Sequence, residues 1–123
     1  MLRYCLAAVM AAFAFLQLND PDPLVWVVAY GLVAFSVAAP PERIWSARSA
    51  WLSGGVLLTL ALGALPGFVD YLVIGNLGSI AAEMSPEQPH VEPAREFLGV
   101  VIAGLILFGM RWHSVRNARL NRQ

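Results

Sequence analysis

At 123 residues and zero formal net charge, the chain has room for one domain and no bulk charge that would draw it to nucleic acid. Hydrophobic residues make up 59 % of it and charged ones 13 %, against about 45–50 % and about 25 % in soluble domains. A water-soluble bundle fits poorly, because its helices would need polar outer faces that this composition does not supply.

Four apolar runs carry no Asp, Glu, Arg, Lys or His: Tyr4–Leu18, Leu24–Ala39, Trp51–Leu65 and Phe97–Met110. They are 14 to 16 residues long, a little under the ~20 that cross a bilayer core. Flanking Arg that snorkel, and Trp26, Trp45, Trp51 and Trp112 at the run ends, extend them to the interface. The fold class expected is an all-α integral membrane protein. Four transmembrane helices, at about 2–18, 24–39, 46–65 and 93–112, form one antiparallel domain over 1–123, with a basic cytoplasmic tail at 113–123.

In the first helix Cys5 is the only cysteine, so no intrachain disulfide can form, and it reads as a small buried residue. Arg3 and Ala12-Phe13-Ala14 loosely resemble a secretory signal, but the apolar run continues past them and no cleavage is expected. Pro21 and Pro23 then push Asp20 and Asp22 towards extended backbone and end the helix. Asp22 can cap the second helix, with Pro23 at its first position, so the first two helices form a tight hairpin.

Pro40-Pro41 closes the second helix in the same way. On the third, Gly55, Thr59 and Gly63 recur four apart, and Ala7/Ala11 and Gly99/Ala103 repeat the spacing on the first and fourth. Such small residues let helices approach closely, within the chain or in a homo-oligomer. Pro66-Gly67 is expected to stop the third helix. The segment 66–95 becomes an outer loop partly covering one end, with 68–80 interfacial and 85–92 irregular.

The loops alternate in sign. Arg3, Arg43, Arg48, Arg111, Arg116, Arg119 and Arg122 fall on one side, and Arg95 alone on the other. By the positive-inside rule both termini and the 40–49 loop are cytoplasmic, and the membrane is the inner (plasma) membrane of a bacterium. The basic tail then fixes orientation and touches anionic lipid, with no nucleic-acid role. His113 belongs to that surface.

The polar residues at the outer ends form the one constellation with chemical potential: Gln17, Asn19, Asp20 and Asp22 from the hairpin, Glu92, Arg95 and Glu96 from the start of the fourth helix. The bland reading is an ion-pair clasp centred on Arg95. The alternatives are a cation or small polar ligand held by carboxylate and amide oxygens, and a membrane enzyme acting on lipid through Glu92, Glu96, Asp20 or His90. No nucleophile elbow, phosphate loop or HExxH pattern is present, so no catalytic residue and no cofactor is assigned, and any metal is undetermined.

Two segments resemble the transmembrane protein 220 family: Gln17-Leu18-Asn19-Asp20-Pro21-Asp22-Pro23 with Trp26 and Tyr30-Gly31, and Glu92-Pro93-Ala94-Arg95-Glu96-Phe97-Leu98-Gly99. The resemblance implies a small multi-pass membrane protein and draws attention to Asn19, Asp20, Asp22, Arg95 and Glu96, but brings no reaction with it. The function expected is a structural or accessory role, with lipid, a homo-oligomer or a larger membrane assembly as partner.

Overall fold

The computed structural model describes residues 1–19, 22–40, 44–74 and 91–120. Four α-helices account for nearly all of them: α1 (Leu2–Leu16), α2 (Pro23–Ala38), α3 (Ile44–Ile74) and α4 (Val91–Leu120). A single 3₁₀ turn, Gln17–Asn19, follows α1. The described residues contain no strand, and the chain is all-α.

The ends of α2 follow from its prolines. Pro23 opens it where no N–H is needed. At the other end Ala39 precedes Pro40 and turns extended, at φ −61° and ψ 138°, after donating a last helical bond to the Phe35 carbonyl. Asp22 does occupy the N-cap position, but its carboxylate makes no capping bond. Instead the Val25 N–H reaches the Asp22 main-chain carbonyl at 3.3 Å.

Helix α3 overturns one expectation. It does not end at Leu65 but runs for 31 residues to Ile74 with Pro66 inside it. Stopping would leave the last four carbonyls without helical partners, whereas Pro66 removes a single N–H. In hydrocarbon each unmet polar group costs several kcal/mol, so continuing is the cheaper choice. Residues 68–74 are therefore helix and not an interfacial cover; 75–90, including His90, lie outside the described residues.

Helix α4 is longer than expected at both ends. It begins at Val91, with Glu92 in its first turn, and extends to Leu120, so residues 113–120 continue the helix instead of forming a separate tail. Ser114 Oγ donates to the Met110 carbonyl at 2.9 Å, and Asn117 Nδ2 lies 3.0 Å from His113 Nε2 one turn back. Arg119 in the last turn suits the negative end of the helix dipole.

Among the described residues, three segments are long and apolar enough to cross a membrane: Leu2–Asn19, Ser46–Ile74 and Val91–Asn117. Helix α2, at 16 residues, rises only about 24 Å against a core of about 30 Å. It is also deeply packed, with Trp26, Ala29, Tyr30, Val33, Ser36 and Val37 buried. Only 6 % of the α1 span is buried. Protein thus replaces lipid around much of the short helix.

The chain divides into two compact units, Met1–Val56 with Ala103–Gln123, and Leu57–Ile102. In the first, Met10, Tyr30 and Val33 are fully buried. The Phe13 ring meets Tyr30 edge-on with centroids 5.8 Å apart, and Trp26 stacks on Tyr30 at 6.1 Å. In the second, α3 and α4 pair antiparallel. Phe68 stacks on Phe97 with centroids 4.4 Å apart, and Tyr71 packs with Val91 and Ala94.

In that pair, Gly67 of α3 has a neighbour within reach of an added Cβ. A Cβ there would overlap Pro93 Cβ and stand 2.8 Å from its Cγ. At Gly55 and Gly63, where close packing was expected, an added Cβ would meet nothing within 4 Å. The small-residue spacing does not mark the contact face: Gly55, Thr59 and Gly63 are all exposed, and the buried positions of α3 include Ser53, Leu57, Ala64 and Tyr71. Cys5 also departs from expectation: it is exposed on α1.

Candidate functional site

The residues singled out from sequence fall into two groups in different units. Gln17, half-buried, and Asn19, exposed, sit on the 3₁₀ turn, close in sequence to the exposed Asp22. Asp20 lies outside the described residues. In the other unit the first two turns of α4 carry Glu92 and Glu96, both half-buried, and the exposed Arg95. The four-residue step places the two carboxylates on one helix face. Among the described residues, no three His, Cys, Asp or Glu side chains gather as a metal site.

A second polar locus, absent from the expectations, lies wholly within the first unit. A cleft of about 600 Å³ forms where α1 begins, α2 ends and α3 begins, against the later turns of α4. Leu2, Val37, Leu107, Met110 and Val115 give it apolar walls, while Arg3, Arg111, His113, Ser114 and Asn117 supply polar groups. Two buried hydroxyl residues, Ser36 and Ser46, also line it. No Asp or Glu is among the described residues that form it; Glu42, the one acid between α2 and α3, lies outside the described residues, and the expected 40–49 loop is already helix from Ile44.

Serines order this end of the unit. Ser36 Oγ lies 2.7 Å from the Leu32 carbonyl and 3.0 Å from Ser53 Oγ, which in turn lies 2.8 Å from the Ser49 carbonyl. Two hydroxyl protons serve three short contacts, so whichever serine donates across the helices gives up its own bond to the carbonyl one turn back. That carbonyl retains a helical N–H, so the exchange costs little. The serine pair ties α2 to α3 by a hydrogen bond inside a protein-covered interface.

At the basic end the Arg3 guanidinium folds over the Tyr4 ring, 4.8 Å from its centroid, and donates to the Tyr4 hydroxyl at 3.1 Å. Further along the unit, Trp26 in the first turn of α2 is buried, and its indole N–H has no hydrogen-bond partner. Trp51 and Trp112 remain exposed, as their positions at the ends of apolar runs imply.

The helical pattern and the motif-bearing segments can be set against known proteins. The family described as transmembrane family 220, helix, matches residues 4–112. The chain belongs to this family. The match takes in all of the hairpin motif, the acidic start of α4 and the intervening α3, so transmembrane family 220 membership covers both polar loci except Met1, Leu2, Arg3 and the residues after Trp112. No curated protein and no solved structure matches the chain.

The cleft escaped notice in the sequence because four separated segments contribute to it, each ordinary by itself. One signal was available. Ser46, Ser49 and Ser53 recur at three- and four-residue steps, drawing a polar line along the start of an otherwise apolar helix.

Proposed function

We propose that this chain is a non-enzymatic structural or accessory protein of the bacterial inner (plasma) membrane, with both termini cytoplasmic and an acidic polar cluster at the outer face. The observation that carries the reading is the surface of the helices. Leu24, Phe35, Trp51, Leu62, Leu105 and Phe108 are each more than half exposed. Large apolar side chains on every helix require lipid or neighbouring helices as cover. A chain so surfaced is suited to supporting other membrane components, as a homo-oligomer or within a larger assembly.

In this reading Gln17, Asn19, Asp20, Asp22, Glu92, Arg95 and Glu96 form a clasp, with Arg95 as the cation among acids. Charge reversal tests it. Asp20→Arg and Arg95→Glu are each expected to reduce the yield of folded, detergent-extractable protein, and the double reversal to recover part of it. A coupling of about 0.2–1 kcal/mol is expected for a solvent-accessible pair. Two single variants as stable as the parent would remove the clasp.

Orientation is testable separately. The one-sided arginine count supports inner termini. A fluorescent protein fused after Gln123 is expected to be bright, and alkaline phosphatase fused there inactive. The reverse pair of results would invert the topology.

A further inference from the structure

We propose that the cleft at the arginine end of the first unit is a binding site for the phosphate of an anionic glycerophospholipid. The charge of the site is one-sided. Arg3 and Arg111 both line it, and no carboxylate does so among the described residues. Arg3 has five donors, of which the Tyr4 hydroxyl takes one.

Helix dipoles add to this. The first residues of α1 and Ser46 in the first turn of α3 line the cleft, so two helix N-termini, each equivalent to roughly +0.5 charge, approach it. The C-terminus of α2 reaches it through Ala39 and opposes an anion with roughly −0.5. Two full guanidinium charges and the pair of N-termini outweigh that.

The remaining lining selects an amphiphile over a bare ion. Buried Ser46 adds a polar residue to the lining, the Ser36 hydroxyl being engaged by the Leu32 carbonyl and Ser53, while Val37, Leu107 and Met110 offer an apolar wall to the first carbons of an acyl chain. The volume, about 600 Å³, lies within the roughly 300–1,000 Å³ of small-molecule sites. Position agrees with chemistry, since the cleft lies at the ends of apolar spans, where lipid headgroups reside. The inference does not depend on which side of the membrane this end faces.

The test uses the full chain purified in mild detergent and native mass spectrometry with phosphatidic acid, phosphatidylglycerol and phosphatidylcholine at equal concentration. Adducts with the two anionic lipids are expected at about ten times the level of the zwitterionic one. The double variant Arg3→Gln/Arg111→Gln is expected to abolish that preference. Arg116→Gln/Arg119→Gln, which removes the same charge outside the cleft, is expected to keep it.

Ser114→Trp, which narrows the cleft from a half-buried position, supplies a second variant should the first pair fail to fold. It is expected to lower the anionic adducts while melting like the parent. Equal loss in both arginine doubles would reassign binding to a diffuse basic surface and overturn the proposal. So would equal adducts for all three lipids. Stabilisation by inorganic phosphate alone that matches the lipids would make free phosphate the ligand and overturn the lipid assignment.

Discussion

Gly67→Ala is expected to destabilise the protein by about 1–3 kcal/mol, although alanine is the better helix former by about 1 kcal/mol. Two effects compete at this position. Helix propensity favours the substitution, and the neighbouring helix opposes it. The new Cβ would overlap Pro93 Cβ and stand 2.8 Å from its Cγ. The proline ring is tied to its own backbone and cannot rotate aside as a flexible side chain would, so relief requires separating α3 from α4. Phe68 on Phe97, stacked at 4.4 Å, and Tyr71 against Val91 and Ala94 would move with them. Gly63→Ala is the control, because a Cβ there meets nothing within 4 Å; it is expected to be neutral or mildly stabilising. Denaturant titration of the detergent-solubilised variants would compare them. Equal stability of the two would refute a close approach at Gly67.

The same glycine shows what could be read from the residues alone and what could not. The spacing of Gly55, Thr59 and Gly63 draws attention to residues that are all exposed, while Pro66-Gly67 reads as a stop when judged by the habits of soluble helices. Without water to receive freed carbonyls, the helix continues instead. The charge-free runs, the start of α2 at Pro23 and its end before Pro40 were legible because each has a local cause: absence of charge, fixed proline φ, or restriction of the residue before proline. The extension of α4 to Leu120 was less so, since arginine-rich sequence is compatible with either a solvated tail or a helix end that benefits from cations.

Site residues divide in the same manner. Glu92 and Glu96 share a helix face as their spacing requires, while Asp22 holds its N-cap position without using its carboxylate. The basic cleft depends on Arg3, Ser36, Ser46 and Arg111 being brought together by packing, and no local rule joins residues so far apart. Arginines at the ends of runs were legible as markers of orientation. That they surround a cavity is a property of the tertiary fold.

Tyr30→Ala is expected to be the most damaging substitution in the first unit, at about 3 kcal/mol. The residue is 1 % exposed, with Phe13 against it edge-on and Trp26 stacked on it. Lipid changes how that loss arises. The unfolded reference in a membrane already shelters apolar groups, so transfer from water contributes little and the cavity term dominates. The expected value therefore sits at the lower edge of the roughly 3–5 kcal/mol found for aromatic-to-alanine changes in soluble cores. Tyr30→Phe retains the ring and loses only the hydroxyl, and is expected to cost about 0.5–1.5 kcal/mol. Steric trapping in bicelles would measure both. If the phenylalanine variant proved as damaged as the alanine one, the hydroxyl and not aromatic packing would hold α1 against α2.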